Sequence, residues 1–399
     1  MRQIDISVSG PVGCGKSAIL AMIEHELRRR GFAFRYANPA EDVPEKNMSD
    51  VLGDLIALDR GAVSFVLRSD VGALEMPALA DTPIGVEYDP DTGWSRIGFG
   101  DGRAPDEPEV KAHPLLSAIA PRRVGGQDMV AIPAFHYMAR RDGERYRLWL
   151  SAVPRIGFRL HPAFMAQGHP VPEILIGAYE ISEVEGQLAS VAGRAPLTRV
   201  SLVDLRERVA EMGEGWGVWS AHELAAIQML VLIDLGHPDI QSELGRGNVA
   251  AGGPCRTGES DAVWRGLHEL WGNVWHWVDG MRVTKEGRVE TWDRTGYQAW
   301  ADTGASAPDI VGFPTHICAA EALDHMFLPT AATDDPDEAM LSDFFVGPDE
   351  GYAGWPLHGG HWNYGSYAGL FGLDLYNVAS DSYTNIGGRL AKRVLPPAN

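Results

Sequence analysis

The sequence predicts an α+β protein in three parts: a small α/β unit over residues 1–70, a β-rich connector over 71–125 and one large domain over 126–399. Three observations carry this. Through residue 70, apolar residues alternate or recur at helical spacing in short blocks. Turn punctuation then becomes dense, with Asp89-Pro90, Gly93 and Gly100-Asp101-Gly102 separating short apolar runs. Beyond about 126, strand-like runs and two capped helices give way to a loop-rich stretch dense in Trp and Gly.

The elements follow in order. Ile4–Val8 alternates like a strand, and Ser17–Arg30 carries Ile19, Leu20, Ile23 and Leu27 at helical spacing before Gly31. Phe32–Tyr36 reads as a second strand, Met48–Leu58 as a second helix and Ala62–Leu67 as a third strand. In the large domain, Met129–Met138 and Tyr146–Val153 form a hairpin signal around Arg141-Asp142-Gly143. Val203–Met212 and Ala221–Leu235 read as helices. The second has Ser220 to cap its start, Glu223 to complete a capping box and Gly236 past its end.

Composition bounds the function. There are 34 Lys+Arg against 54 Asp+Glu, a net charge of −20, and such a field repels nucleic acid and anionic lipid. With no apolar run of spanning length, no membrane insertion is expected. Residues 1–10 lack the basic start and apolar core of a signal peptide, so a cytoplasmic or virion-associated location is expected. Cys14, Cys255 and Cys318 are too scattered for a disulfide framework or zinc site.

Gly10-Pro11-Val12-Gly13-Cys14-Gly15-Lys16-Ser17 fits G-x-x-x-x-G-K-[ST] between a strand and a helix. It resembles the phosphate loop of P-loop NTPases. Backbone N–H groups around Gly10, Gly13 and Gly15 would cradle phosphates, Lys16 would neutralise them and Ser17 would hold Mg²⁺. No cofactor is expected to be required; the resemblance offers ATP or GTP with Mg²⁺ at this loop as the one candidate. Asp70 lies three residues past the nearest apolar strand, and no catalytic Glu or arginine finger can be assigned, so hydrolysis is not expected. Cys14, beside a helix N-terminus, is an oxidation liability rather than a catalyst.

Three segments of the large domain are informative: Trp264–Gly280, with Gly272-Asn273-Val274-Trp275-His276-Trp277-Val278 inside it; Gly359-Gly360-His361-Trp362; and Ile386-Gly387-Gly388-Arg389. Trp271, Trp275, Trp277 and Trp362 can fill a loop-rich core, and Asn273 can satisfy loop backbone. In this order and spacing the segments resemble the C-type-lectin-like fold of the formylglycine-generating-enzyme type, over roughly residues 126–395. Ile176–Glu180 and Leu224–Leu235 stand where that family has its first strand and first long helix. Its oxidase members use a paired cysteine copper site, and related enzymes a three-histidine iron site. Neither pattern is present: Cys318 precedes the closing motifs, and the pairs His316/His325 and His358/His361 are lone histidines. No catalytic residue and no metal are therefore expected.

The window Trp355–Gly388 holds four Tyr, seven Gly, three Ser and three Asn, with no Lys and no Glu. Tyr offers large amphipathic contact area with little rotamer entropy to lose, and Ser, Gly and Asn offer adaptable hydrogen bonds, as in antibody paratopes. The pattern resembles the variable region, here 355–390, of diversity-generating-retroelement target proteins, many of them phage or prophage receptor-binding proteins on this fold. There, template adenines are randomised and Asn codons become Tyr, His, Asp, Gly or Phe. His361, Asn363, Tyr364, Tyr367, Gly372, Asp374, Tyr376, Asn377, Asp381 and Tyr383 fall in that set. Between them stand fixed-looking Trp362, Gly365, Ala368, Gly369, Leu370, Leu373, Leu375, Ser380, Ser382 and Asn385.

The resemblance implies a ligand-binding protein whose diversified Tyr-rich face takes protein or glycan ligands on a host cell surface, mounted on a phage tail, a prophage-derived particle or a homo-oligomer. The competing reading is a nucleotide-dependent switch or ATPase using residues 10–17. Under the first, Tyr364→Ala, Tyr367→Ala and Tyr376→Ala are expected to abolish binding without changing the melting temperature.

Overall fold

The computed structural model describes residues 5–9, 64–68, 82–100 and 102–394. Cα packing divides the chain into Met1–Ala78 and Leu79–Asn399. In the first unit, β1 (Asp5–Ser9) pairs with β2 (Ser64–Arg68), Asp5 opposite Arg68 and Ser9 opposite Ser64. Both strands were expected, but they are antiparallel, whereas a strand–helix–strand crossover gives parallel neighbours. The phosphate-loop residues Gly10, Gly13, Gly15, Lys16 and Ser17, together with Cys14, both expected helices and the strand at Phe32–Tyr36, lie outside the described residues.

The second unit begins within the segment expected as a connector. β3 (Ile84–Asp89) pairs with β4 (Gly93–Ile97), turning over Asp89 to Gly93. A capped helix, Glu107–Ala112, follows, then β5 (Ala120–Val124), β6 (Gln127–Pro133), β7 (His136–Asp142) and β8 (Arg145–Ser151). Because β3 pairs along β8 from Ile84↔Leu150 to Tyr88↔Tyr146, residues 84–97 are an edge of the domain's own small sheet. The β7–β8 hairpin turns at Gly143, whose φ of +61° suits glycine. The apolar run Met129–Met138, read as one strand, is two. Pro133 ends β6, and the chain leaves the large sheet for the small one, since proline cannot donate to a continuing ladder.

After β9 (Glu173–Glu180) come the two main helices, α1 (Leu202–Ala210) and α2 (Ala221–Leu235). Both carry reciprocal capping boxes, Ser201 with Asp204 and Ser220 with Glu223. Gly236 ends α2 at φ 87°. Residues 221–234 of α2 are all buried, so this helix is a central post.

Seven further strands belong to the large sheet: β10 (Trp275–Trp277), β11 (Val311–Ile317), β12 (Pro329–Thr333), β13 (Phe345–Val346), β14 (Leu357–His358), β15 (Leu373–Asp374) and β16 (Ile386–Arg393). They join β5, β6 and β9 in one large sheet, in the order β12-β11-β13-β15-β14-β10-β16-β9-β6-β5, and Trp216–Val218 also pairs with β16. The last strand in sequence is thus central in space, parallel to β10 and antiparallel to β9. Trp219, Trp264, Trp271 and Trp277 are fully buried around this sheet. Among the described residues no helix is long and apolar enough to cross a membrane.

Candidate functional site

The motif residues build a buried polar core beside β10 and β16. Asn273, at φ 58° and fully buried, accepts from the Cys255 N–H and the Asn248 amide, each at 2.8 Å. Its own amide donates to Glu180 Oε2 at 2.6 Å. His276, fully buried, has its Nε2 3.1 Å from Glu180 Oε1. Burial raises the Glu180 carboxyl well above the carboxylate range and holds His276 well below the usual imidazole value. Arg389 donates to the carbonyls of Gly177 at 2.7 Å and Glu269 at 2.8 Å, and to that of His268. Burial lowers its guanidinium to about 10, opposed by the charges of Glu180 and Glu269. These contacts tie the loops at Asn248, at Cys255 and at 269–273 to strands β9, β10 and β16, so these residues hold the loops on the sheet.

The window 355–390 folds onto that core in two stretches. Gly359 and Gly360 start the first with φ 96° and 83°. His361 is half-buried, and its Nδ1 accepts the Asn363 N–H at 3.3 Å. Burial lowers His361. Asn363 is exposed. Tyr364 is half-buried, its ring edge-on to Trp275 at 4.9 Å, and burial pushes its hydroxyl up to about 12. Tyr367 is 44% exposed and stacks on Phe344 at 4.3 Å, with Phe313 edge-on to both. His361, Tyr364 and Tyr367 therefore form one aromatic cluster. Phe344 and Phe313, outside the window, were missed because nothing in the sequence around them signals a contact with residue 367.

The second stretch differs. Gly372 is buried, with its N–H on Gly369 O and its carbonyl taken by Gly359 N–H, so it is framework and displays nothing. Asp374, raised by burial, accepts from the Tyr376 N–H at 2.8 Å and the Asn377 amide at 3.4 Å. Asp381 accepts the Val378 N–H at 3.0 Å. Both aspartates shape turns. Tyr376 and Tyr383 are each 54% exposed, and Asn377 is half-buried with its carbonyl on Trp355 N–H. Among the described residues no ring contact joins Tyr376 or Tyr383 to the first cluster. Of the fixed-looking positions, Ala368, Gly369, Leu370 and Leu375 are buried, whereas Ser380 and Ser382 are exposed. An added Cβ at Gly369 would lie 1.9 Å from the Asp343 carboxylate, which is buried and accepts the Phe371 N–H.

A third feature was not legible. His161, His222 and His325, from three distant segments, meet in the core, with His222 Nδ1 2.9 Å from His325 Nε2. His222 Nε2 lies 2.9 Å from the Trp292 carbonyl and Arg294 Nη2 3.0 Å from His325 Nδ1. His222 Nε2–H therefore donates to that carbonyl, its Nδ1 accepts from His325, and His325 Nδ1 accepts from Arg294. Burial lowers His222 to about 4 and the other two well below the usual value. His358 is also buried, His316 is exposed, and Cys318 and Cys255 are buried and half-buried free thiols. Among the described residues no group of three or more His, Cys, Asp or Glu is placed to hold a metal ion.

No family model matches the chain, and no curated protein does. Solved structures similar to it include PvdO from Pseudomonas aeruginosa, at 12% identity and TM-score 0.33, covering 67% of this chain and 95% of that one. Treponema denticola variable protein 1 is similar at 12% identity and TM-score 0.33, covering 69% and 98%. The Major Tropism Determinant P3c variant is similar at 10% identity and TM-score 0.28, covering 78% and 72%.

Proposed function

We propose that the unit Leu79–Asn399 is a ligand-binding domain that displays a diversified face from the window 355–390, on a C-type-lectin-like fold of the formylglycine-generating-enzyme type. The observation that carries this is the split of the window. Asn363, Tyr367, Tyr376 and Tyr383 reach solvent on a backbone pinned by buried Ala368, Gly369, Leu370 and Leu375. Exposed tyrosines on a fixed backbone can gain contact area at low entropic cost. The partner class is a protein or glycan on a host surface, with the domain borne on a particle or homo-oligomer, and no catalytic step is assigned to it.

The neighbouring DNA tests the reading. A near-copy of the 355–390 coding segment, differing at adenines and lying beside a reverse transcriptase, is the expected finding. Substitutions in related copies should fall at Asn363, Tyr367, Tyr376, Asn377 and Tyr383 and spare Gly369 and Gly372. Copies that vary at the buried glycines would overturn it.

The motif Gly10–Ser17 supports a separate proposal for the first unit: binding of ATP or GTP with Mg²⁺, without assigned hydrolysis. Calorimetry should detect nucleotide binding that Lys16→Ala removes. No heat at millimolar nucleotide would eliminate it.

A further inference from the structure

The chain carries 34 Lys and Arg among 399 residues, yet residues 295–388 contain none. The same stretch holds 13 Asp and Glu. Asp302, Glu321 and Asp324 pair with arginines from elsewhere. Asp343, Asp374 and Asp381 hold backbone N–H groups. Among the described residues the other seven make no ion pair, and all seven are exposed.

Sheet register shows where these acids stand. β11 and β13 set Val311 opposite Val346, so Phe313 and Phe344, two residues along, share their face. Val311 is 56% exposed, which marks this as the outer face, while Gly312 and Phe345 turn inward and are buried. The strip runs on into the window, with Val346 beside Asp374 of β15 and Tyr367 stacked on Phe344. Uncommitted acids flank it. Across the sheet edge, Thr333 of β12 lies opposite Phe313, and Asp334, Asp335, Asp337 and Glu338 follow it directly. At the strand ends, the Gly347 N–H donates to the Ile310 carbonyl, which sets Asp309 beside the turn that carries Asp349 and Glu350. Among the described residues no Lys or Arg stacks on Phe313, Phe344, Tyr364, Tyr367 or Tyr376. Cations from other segments meet the window elsewhere. Arg206 and Arg282 lie over Trp355, each already paired with a carboxylate. The Arg199 N–H donates to the Tyr383 carbonyl, and the exposed Arg246 stands three residues before Val249, whose carbonyl takes the Gly365 N–H.

We propose that the binding face extends beyond residues 355–390 onto this sheet strip, and that its partner is a protein surface with Lys or Arg side chains set around an apolar centre. The inference rests on the displayed-face reading above and narrows its partner. Val311, Val346 and Phe344 offer apolar area with no hydrogen-bonding group, so sugar hydroxyls placed on them would lose water without replacement. An apolar patch on a protein loses nothing there. Seven unpaired carboxylates around the strip repel sulfated or phosphorylated glycans and attract a basic rim. The open ring faces of Tyr367 and Tyr376 can take a guanidinium or ammonium group, which no cation of the chain itself occupies.

The test pans a random dodecapeptide library displayed on phage against the immobilised full chain and measures the selected peptides by calorimetry. Peptides that combine Lys or Arg with Phe, Leu, Ile or Trp are expected. Tyr367→Ala should weaken them about tenfold or more. Val311→Lys, which puts a cation on the strip, should weaken them about tenfold or more, whereas Val311→Thr should cost about threefold or less. The triple variant Asp309→Asn, Asp349→Asn, Glu350→Gln should weaken them about tenfold. Glu185→Gln, at the tip of a separate hairpin, should change nothing, and circular dichroism should find every variant folded. Selected peptides without Lys or Arg that still fail on Tyr367→Ala would overturn this proposal and leave the displayed face standing. Peptides indifferent to both Tyr367→Ala and Tyr376→Ala would remove both. Basic peptides that bind Val311→Lys or the triple variant equally well, an absence of enrichment, or saturable heparin binding that Tyr367→Ala abolishes would each overturn the proposal.

Discussion

The segments 264–280 and 361–383 draw on nearly the same residue types, Trp, Asn, His and Gly, yet one is entombed and the other half displayed. In the first, Asn273 is fully buried, held by Asn248, Cys255 and Glu180. In the second, Asn363 is exposed and Asn377 spends its amide on Asp374. What separates them is the number of backbone groups each side chain must satisfy. A buried polar residue with three partners is fixed by those partners. One that closes only its own turn is free to be exchanged.

The largest expected effect lies in the first segment's network. Arg389→Ala removes the donor to three carbonyls and leaves Glu180 and Glu269 facing no cation, a loss of about 3–5 kcal/mol. Urea denaturation would measure it, and a loss under about 1 kcal/mol would show that the network is not cohesive.

Acid comes next. His222 is held neutral at about 4, below its unfolded value, so its contribution is present above about pH 6.5 and is lost as pH falls towards 4. His161 and His325 are lowered in the same sense, with Arg294, Arg159, Arg393, Asp324 and Tyr137 around the cluster. Glu180 and Asp343, raised by burial, act the opposite way. The free energy of unfolding, measured by urea denaturation, should drop between pH 7 and 4 by on the order of 2–3 kcal/mol from His222 alone, and the drop should shrink in His222→Gln. An unchanged profile in that variant would remove the cluster from the acid response.

Within the window, Gly369→Ala should cost about 1–3 kcal/mol because the Asp343 carboxylate occupies the space a Cβ needs. Tyr364→Ala should cost about 1–2 kcal/mol through its lost packing on Trp275. This departs from the expectation that it leaves stability untouched. Tyr376→Ala and Tyr383→Ala should stay within about 0.5 kcal/mol. If thermal melts placed all three tyrosines together, the division between framework and display would fail.

Much of the fold was legible in local chemistry. The capping box at Ser220 and Glu223, with Gly236 beyond, delimits α2, because orphan N–H and C=O groups demand those residues at those places. The hairpin at Gly143 was legible for the same reason. Sheet membership was not. The run Met129–Met138 splits between two sheets at Pro133, and residues 84–97 join β8 across some sixty positions, which no local pattern encodes. Within the window, composition marked the exposed tyrosines, but not that Gly372, Asp374 and Asp381 serve the backbone. A side chain's exposure depends on neighbours such as Phe344, brought in from elsewhere.

The central place of β16 has a consequence for synthesis. Residues 386–393 fill the gap between β9 and β10, so the large sheet cannot close until they have left the ribosome, after the whole of 355–385. A frameshift or stop arising anywhere in that window also deletes the closing strand. Such a chain leaves β9 and β10 with open edges and is expected to be recognised as misfolded and cleared. Folding itself thus depends on the reading frame of residues 355–385, because a chain shifted out of frame there lacks the strand that closes the sheet.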